Sequence, residues 1–446
     1  MNLSRVRSLG TALVVAALAV FGLSAARAAA FDTPQSQVHH AKPQSRLREP
    51  RHATAHHTAT HSTKSAATHT ASHSTSSRVT AKSPTASAHL QRVSVTRHHH
   101  YYERFTASSF VQGEIGAGDV TAGEDPVVRQ AAIEALGDMN GTAVVIDPSN
   151  GRILAMVNQK LALSPGAEPC STIKLTVALA ALSEGIVTRD TPVQLAGFRM
   201  DMTQALAKSN NLYFEEMGRE LGFDRVRHYA TQFGLGELAG YNIAGEQLGV
   251  YPDQPIPESE GGVSRMCSFG QGVSLTPLQL GAFVASIANG GTLYYLQHPT
   301  TPQEVAAFQP RVKRTLDIAR YVPDVEDGMA GAVEYGTARS LRTNFNQLPV
   351  FGKTGTCSND GTRFGWFASY SESPQGALVT VFFLEGGRPV FGPRAAELTG
   401  EFYKNLWDRD YFALKNQDAQ NAPSVAPAGN PVAAFPTPAA PTPAVQ

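Results

Sequence analysis

Ser171-Thr172-Ile173-Lys174-Leu175-Thr176-Val177-Ala178-Leu179-Ala180-Ala181-Leu182 is apolar almost all round, with Pro165, Gly166 and Pro169 before it and Gly185 after it. A stretch hydrophobic on every side belongs inside a protein, so the spacing predicts a buried helix with Ser171 in its first turn. Positions three apart on a helix share a face, which sets the Lys174 amine beside the Ser171 hydroxyl. Burying an ammonium in so apolar a helix is costly, and the neutral amine it favours can accept a proton from the serine. Ser171 then reads as a nucleophile and Lys174 as its general base. The bland alternative is a helix cap with a lysine snorkelling to solvent.

Working outward, Thr142-Ala143-Val144-Val145-Ile146 and Arg152-Ile153-Leu154-Ala155-Met156-Val157 flank Asp147-Pro148-Ser149-Asn150-Gly151, whose Pro and Asn-Gly mark a hairpin turn. Three more strand-like runs follow late in the chain: residues 350–356, 364–370 and 377–384. An amphipathic stretch from Pro393 to Trp407 predicts a helix laid on that sheet. Strands from both ends with helices between them give an α+β class. Its first and last segments would share one antiparallel sheet flanked by helices, beside a mostly helical subdomain.

Two further motifs extend the chemistry. Ser209-Asn210-Asn211 begins a polar patch after Ala205-Leu206-Ala207, and Lys353-Thr354-Gly355-Thr356 lies on a predicted strand. Ser209 would relay a proton to a leaving amine and Asn211 would orient a substrate amide; a plain helix cap at 209–211 is the alternative. An extended peptide could pair with the 353–356 strand while Lys353 and the hydroxyls of Thr354 and Thr356 capture a terminal carboxylate. Lys353 would also add a like charge near Lys174, and Gly355 would let a ligand approach the backbone. The backbone N–H groups of Ser171 and Thr356 are the expected oxyanion hole, the first helped by a helix N-terminus.

Composition bounds the partners. The 446 residues hold 37 basic and 37 acidic side chains, but the balance is uneven. Residues 106–446 carry 24 basic against 34 acidic groups, which disfavours nucleic-acid binding by the folded part. Arg5 and Arg7 precede an apolar stretch from Leu9 to Leu23 and a run of small residues to Ala30, so residues 1–30 read as an export signal cleaved after Ala28 or Ala30. An uncleaved anchor is the competing reading. Residues 31–105 hold twelve of the 14 His and are rich in Ser, Thr and Ala, which predicts a disordered basic linker attracted to anionic envelope polymers rather than a metal site. Residues 416–446, with seven Pro, read as a disordered Pro/Ala-rich tail, leaving 106–415 as the folded unit.

Taken together, Ser171-x-x-Lys174, Ser209-x-Asn211 and Lys353-Thr354-Gly355 resemble the motif set of penicillin-binding proteins and serine β-lactamases. Over roughly 140–410 the chain resembles the penicillin-binding transpeptidase domain. The hairpin at Ile146-Asp147-Pro148, the segment Phe269 to Leu280, the run Ile287-Ala288-Asn289-Gly290-Gly291, and Gly365-Trp366-Phe367 resemble it too. The resemblance implies a cell-envelope D,D-transpeptidase acylated by the D-Ala-D-Ala end of peptidoglycan stem peptides and by β-lactams, with no metal or organic cofactor. It leaves a D,D-carboxypeptidase open, because both use the same acyl-enzyme, and leaves any membrane polymerase partner undetermined. A β-lactamase would need a second base for its hydrolytic water, and neither a suitably placed Glu-x-x-x-Asn nor a Tyr-Gly-Asn is present. A non-catalytic β-lactam sensor or wall-binding protein is the other alternative. About 35 residues between linker and hairpin leave no room for a glycosyltransferase module or the usual pedestal domain.

Ala167-Glu168-Pro169-Cys170 and Cys357 depart from that pattern. Cys170 precedes the nucleophile and Cys357 follows Thr356. Two N–H donors converging on one oxygen at about 3 Å lie within about 6 Å of each other, so their neighbours are close enough for a disulfide. Two small buried residues beneath the site would satisfy the same sequence.

Overall fold

The computed structural model describes residues 106–413, apart from Gln375. The readings of residues 1–105 and of 416–446 fall outside these described residues. Among the described residues nine strands occur in chain order: β1 Gly141–Asp147, β2 Arg152–Val157, β3 Val193–Leu195, β4 Phe198–Met200, β5 Thr292–Tyr294, β6 Val312–Thr315, β7 Val350–Asn359, β8 Thr362–Ser373 and β9 Gly376–Gly386. Five of them make the central sheet, ordered β2-β1-β9-β8-β7 and antiparallel throughout, while β3-β4 and β5-β6 are separate two-stranded ribbons. The first hairpin of the domain and the last three strands therefore do share one sheet, with Val144 opposite Val381.

The turn that closes β1 onto β2 is built by its own side chains. Asp147 Oδ1 accepts from Ser149 N at 3.0 Å and from Ser149 Oγ at 2.6 Å, an Asx turn, and Gly151 takes the left-handed φ of +79°.

Both faces of the sheet are covered, and the period-2 alternation of strands divides the core accordingly. Val144, Ile146, Trp366, Ala368, Tyr370, Val379, Val381 and Phe383 face one hydrophobic cluster; Ala143, Val145, Phe367, Leu378, Phe382 and Leu384 face the other. The second cluster is closed by helices Pro126–Leu136 and Gly392–Trp407, the latter one residue longer at its start than the sequence suggests. The first is closed by the helical region, whose helix Pro277–Ala288 lies on the sheet. That helix starts where a capping box dictates. Thr276 accepts from Gln279 N, Gln279 Oε1 accepts from Thr276 N, and Pro277 occupies the first turn, where its missing N–H costs nothing.

Within the helical region, Lys174–Ser183 is buried on all sides, as its composition requires. Ser171 lies in a 3-10 turn, Cys170–Ile173, that leads directly into it. Helix Met202–Ala207 and the long helix Asn211–Gln232, broken at Gly222, meet at residues 208–210. At the far edge of the sheet β7 pairs only with β8, so its other side is open along the helical region. Among the described residues, no helix is long and apolar enough to cross a membrane.

Candidate active site

Three elements converge on Ser171. The 3-10 turn carries the serine itself, and one turn further on Lys174 places Nζ 2.6 Å from Ser171 Oγ. The junction before the long helix supplies Asn211, whose Oδ1 accepts from Lys174 Nζ at 2.8 Å. The carbonyl of Ser268, near the end of helix Gly262–Phe269, accepts from the same amine. A neutral amine has two N–H donors and one lone pair. Asn211 and Ser268 take the two donors, which leaves the lone pair facing the serine hydroxyl.

Lys174 is fully buried, and burial pulls its ammonium down from its ordinary range to about 7, against the carboxylate of Glu215, which raises it. The like charge expected from Lys353 does not enter this balance. It acts the other way: Lys353, also fully buried, is held well below its usual value by burial first and by the charge of Lys174 second.

Lys353 Nζ donates to Ser209 Oγ at 2.8 Å and to the Thr354 carbonyl at 3.0 Å. It therefore lies behind Ser209 rather than open to an incoming carboxylate. Ser209 itself sits at φ +54°, a conformation that turns the chain between two helices. The cap and the polar site coexist here. Asn210, between the two predicted residues, is the cap and accepts from Tyr213 N at 2.9 Å, leaving Ser209 and Asn211 to face the lysines.

Along β7 the side chains alternate. Lys353, Gly355 and Cys357 face the Ser171 turn; Thr354 and Thr356 point to the other side, where Thr354 Oγ1 pairs with Thr337 Oγ1 at 2.6 Å and Thr356 Oγ1 accepts from Gly392 N at 2.9 Å. Thr356 is exposed and Thr354 is not. Gly355 is a glycine for a reason other than ligand access. A Cβ there would stand 2.8 Å from the Pro169 carbonyl oxygen and 3.1 Å from Thr172 Cγ2, so the missing side chain lets the Pro169–Thr172 turn itself approach the strand. Trp366 on β8, opposite Gly355 and stacked on Phe383, ties the same turn by donating Nε1–H to the Glu168 carbonyl at 3.0 Å.

Of the two readings of the cysteines, the structure takes the bridge. Cys170 and Cys357 form a disulfide with their Cα atoms 5.6 Å apart, and Cys267 remains a free, buried thiol. Lys174, Asn211, Ser209 and Lys353 are thus gathered around Ser171, while the hydroxyls of Thr354 and Thr356 lie on the other side of β7. Sequence reasoning missed Glu215, Ser268 and Thr337. Glu215 lies one helical turn after Asn211, so its position carried a usable signal. Ser268 acts through its carbonyl, which no side-chain pattern announces.

The five-stranded antiparallel sheet with its helical region is a fold shared with many solved structures. The family model for the penicillin binding protein transpeptidase domain matches residues 141–404, more than half of the chain, and the chain belongs to that family. Among curated relatives, stage V sporulation protein D of Bacillus subtilis is 29% identical over 257 residues, covering 48% of this chain and 39% of that protein. Peptidoglycan D,D-transpeptidase MrdA of Acinetobacter baumannii is 24% identical over 402 residues, covering 69% and 56%. The chain thus spans between about two fifths and just over half of these two relatives. Among solved structures, Pseudomonas aeruginosa PBP2 in complex with WCK 5153 is similar in fold, with a TM-score of 0.52 at 23% identity over 64% of this chain and 77% of that one. A peptidoglycan glycosyltransferase from Burkholderia ambifaria superposes with a TM-score of 0.54 at 19% identity, over 68% and 98%.

Proposed function

We propose that the chain is a peptidoglycan D,D-transpeptidase that cleaves the D-Ala-D-Ala end of a stem peptide through an acyl-enzyme on Ser171, and that β-lactams acylate the same serine. The observation that carries this reading is the 2.6 Å contact between Ser171 Oγ and a fully buried Lys174 whose amine titrates at about 7. Lys174 takes the serine proton as Oγ attacks the carbonyl of the penultimate residue. The N–H groups of Ser171 and Thr356 hold the oxyanion. Ser209, held by Lys353, delivers a proton to the departing D-Ala, and Asn211 keeps Lys174 aligned while offering its amide to the substrate backbone. The edge of β7 that carries no neighbouring strand supports pairing with an extended peptide, and the hydroxyls of exposed Thr356 and of Thr354 would leave Gly392 and Thr337 to bind the terminal carboxylate. Lys353 serves that end of the substrate through Ser209 and not by direct contact. Residues 106–415 act as the catalytic unit, and export directed by residues 1–30 brings it to the cell envelope, where its substrate lies.

The test is labelling by a fluorescent penicillin, followed by mass analysis of products from a stem peptide with and without an acceptor amine. A stable labelled band that is lost in Ser171→Ala, together with a cross-linked product, is expected. An unlabelled wild type or a labelled Ser171→Ala refutes the reading. Release of D-Ala without a cross-linked product assigns a carboxypeptidase, and rapid turnover of the drug a β-lactamase.

A further inference from the structure

We propose that the Cys170–Cys357 bridge is a positioning element of the acyl-transfer site, and that its reduction by a dithiol turns acylation down without unfolding the domain. The inference rests on the reading of Ser171 as nucleophile and of the Ser171 and Thr356 N–H groups as the oxyanion donors.

The two cysteines occupy the places where a covalent tie has most leverage on those donors. The Ser171 N–H belongs to the peptide that joins it to Cys170, and Cys357 directly follows Thr356. With the cysteine Cα atoms 5.6 Å apart, the bridge ties together the residues next to the two proposed donors. Cys170 also adopts φ +52°, a left-handed conformation that is strained for a non-glycine residue and persists only where the surroundings over-determine it. That conformation starts the 3-10 turn presenting Ser171, and its side chain is the one the bridge holds.

The bridge is not the only tie. The Trp366 bond to Glu168 and the close seating of the Pro169–Thr172 turn against Gly355 remain when the sulfurs part. Reduction therefore loosens the oxyanion geometry and does not release the turn. The hydrogen bonds of Lys174 to Ser171, Asn211 and Ser268 do not pass through the cysteines.

Chemically, a dithiol thiolate attacks the sulfur of Cys357, which is half-buried where Cys170 is fully buried, and expels the Cys170 thiolate. The second thiol of the reagent then closes on the mixed disulfide. The reagent leaves oxidised, and the two protein sulfurs have gained two electrons and two protons. Cys267 takes no part, because it is wholly buried and its thiol is pushed up to about 12 by burial.

The experiment uses the full chain in its oxidised state, with acylation by a fluorescent penicillin followed across reagent concentration and pH. It is repeated after dithiothreitol and with a Cys170→Ser, Cys357→Ser double variant, with thiol state fixed by alkylation and mass. Losing an oxyanion donor costs about 10²–10³ in rate, so misplacing one should cost about tenfold. The limiting acylation rate is expected to fall by about that factor on reduction, while the half-saturating concentration and the pH midpoint stay put. The double variant should start at the reduced rate and ignore dithiothreitol. An unchanged limiting rate in reduced protein overturns the inference, as does collapse of the far-ultraviolet circular dichroism on reduction. A double variant slowed further by dithiothreitol also overturns it, because the reagent then acts elsewhere. If the double variant fails to fold, the reduced wild type carries the comparison alone. An oxidised wild type that never labels refutes the proposed function instead.

Discussion

The pH dependence of acylation follows from one buried amine. With Lys174 titrating at about 7, half of it is neutral at that pH. One unit lower the neutral share is about a tenth, and one unit higher about nine tenths. An ordinary lysine near 10.4 would be neutral in only about one molecule in a few thousand at neutral pH, so burial enriches the base form on the order of a thousandfold. The sign is fixed by what the reaction consumes. Acylation needs the neutral amine, so the rate falls as pH drops through about 7 and levels off above it. The assay is the second-order rate of labelling by a fluorescent penicillin from pH 5.5 to 9 at constant ionic strength, on wild type and Lys174→Arg. Expected are a tenfold fall per unit on the acid side, a plateau above pH 8, and no measurable acylation in Lys174→Arg, because a guanidinium does not give up its proton here. A rate flat across the acid limb, a midpoint above 9, or an active arginine variant would refute the assignment of Lys174 as base.

Three other outcomes are expected. Glu215→Gln removes the carboxylate that raises Lys174 while keeping an acceptor for Ser268 Oγ, so the acid limb should move below pH 7 and the variant outpace wild type at pH 6; the same profile measurement checks it. Gly355→Ala drives a methyl into the Pro169 carbonyl and Thr172, and should cost about 1–3 kcal/mol in denaturant unfolding and slow acylation as well. The bridge joins residues 187 apart in sequence, and the chain-entropy relation gives about 5 kcal/mol for such a loop, so reduced protein should melt several degrees lower while remaining folded at 25 °C.

The parts of the fold that could be read from the sequence are those where burial is total. Val144 to Ile146 and Val381 to Leu384 are continuous apolar runs because both faces of the sheet are covered, and their strand assignment follows from that. The polar extensions were not readable: β7 continues through Ser358 to Asn359, and β8 begins at Thr362, since backbone pairing carries the ladder past the last apolar side chain. The ribbons β3-β4 and β5-β6 are too short to show a period at all. In the site, Ser171 and Lys174 were legible because helical spacing alone sets one beside the other. The burial of Lys353 was not, because it depends on helices distant in sequence closing over the edge strand. Nor was the partner of Gly355, since the reason for a missing Cβ lies in the backbone that approaches it. The cysteines stood between these cases: their places beside Ser171 and Thr356, the two proposed oxyanion donors, showed that they could meet, and the fold decided that they do.

The pairing of β1 with β9 has a consequence for how the molecule comes into being. Val144 finds its partner Val381 only after more than half of the chain has been made. Until β9 arrives, β1 and β2 are a two-strand hairpin, which is marginal alone in water, and β7, which completes the serine site, has no sheet to join. Contacts so far apart in sequence are closed late and slowly. A growing polypeptide therefore holds Ser171 and Lys174 without the strand that faces them until the last strand slots between the hairpin and its neighbour.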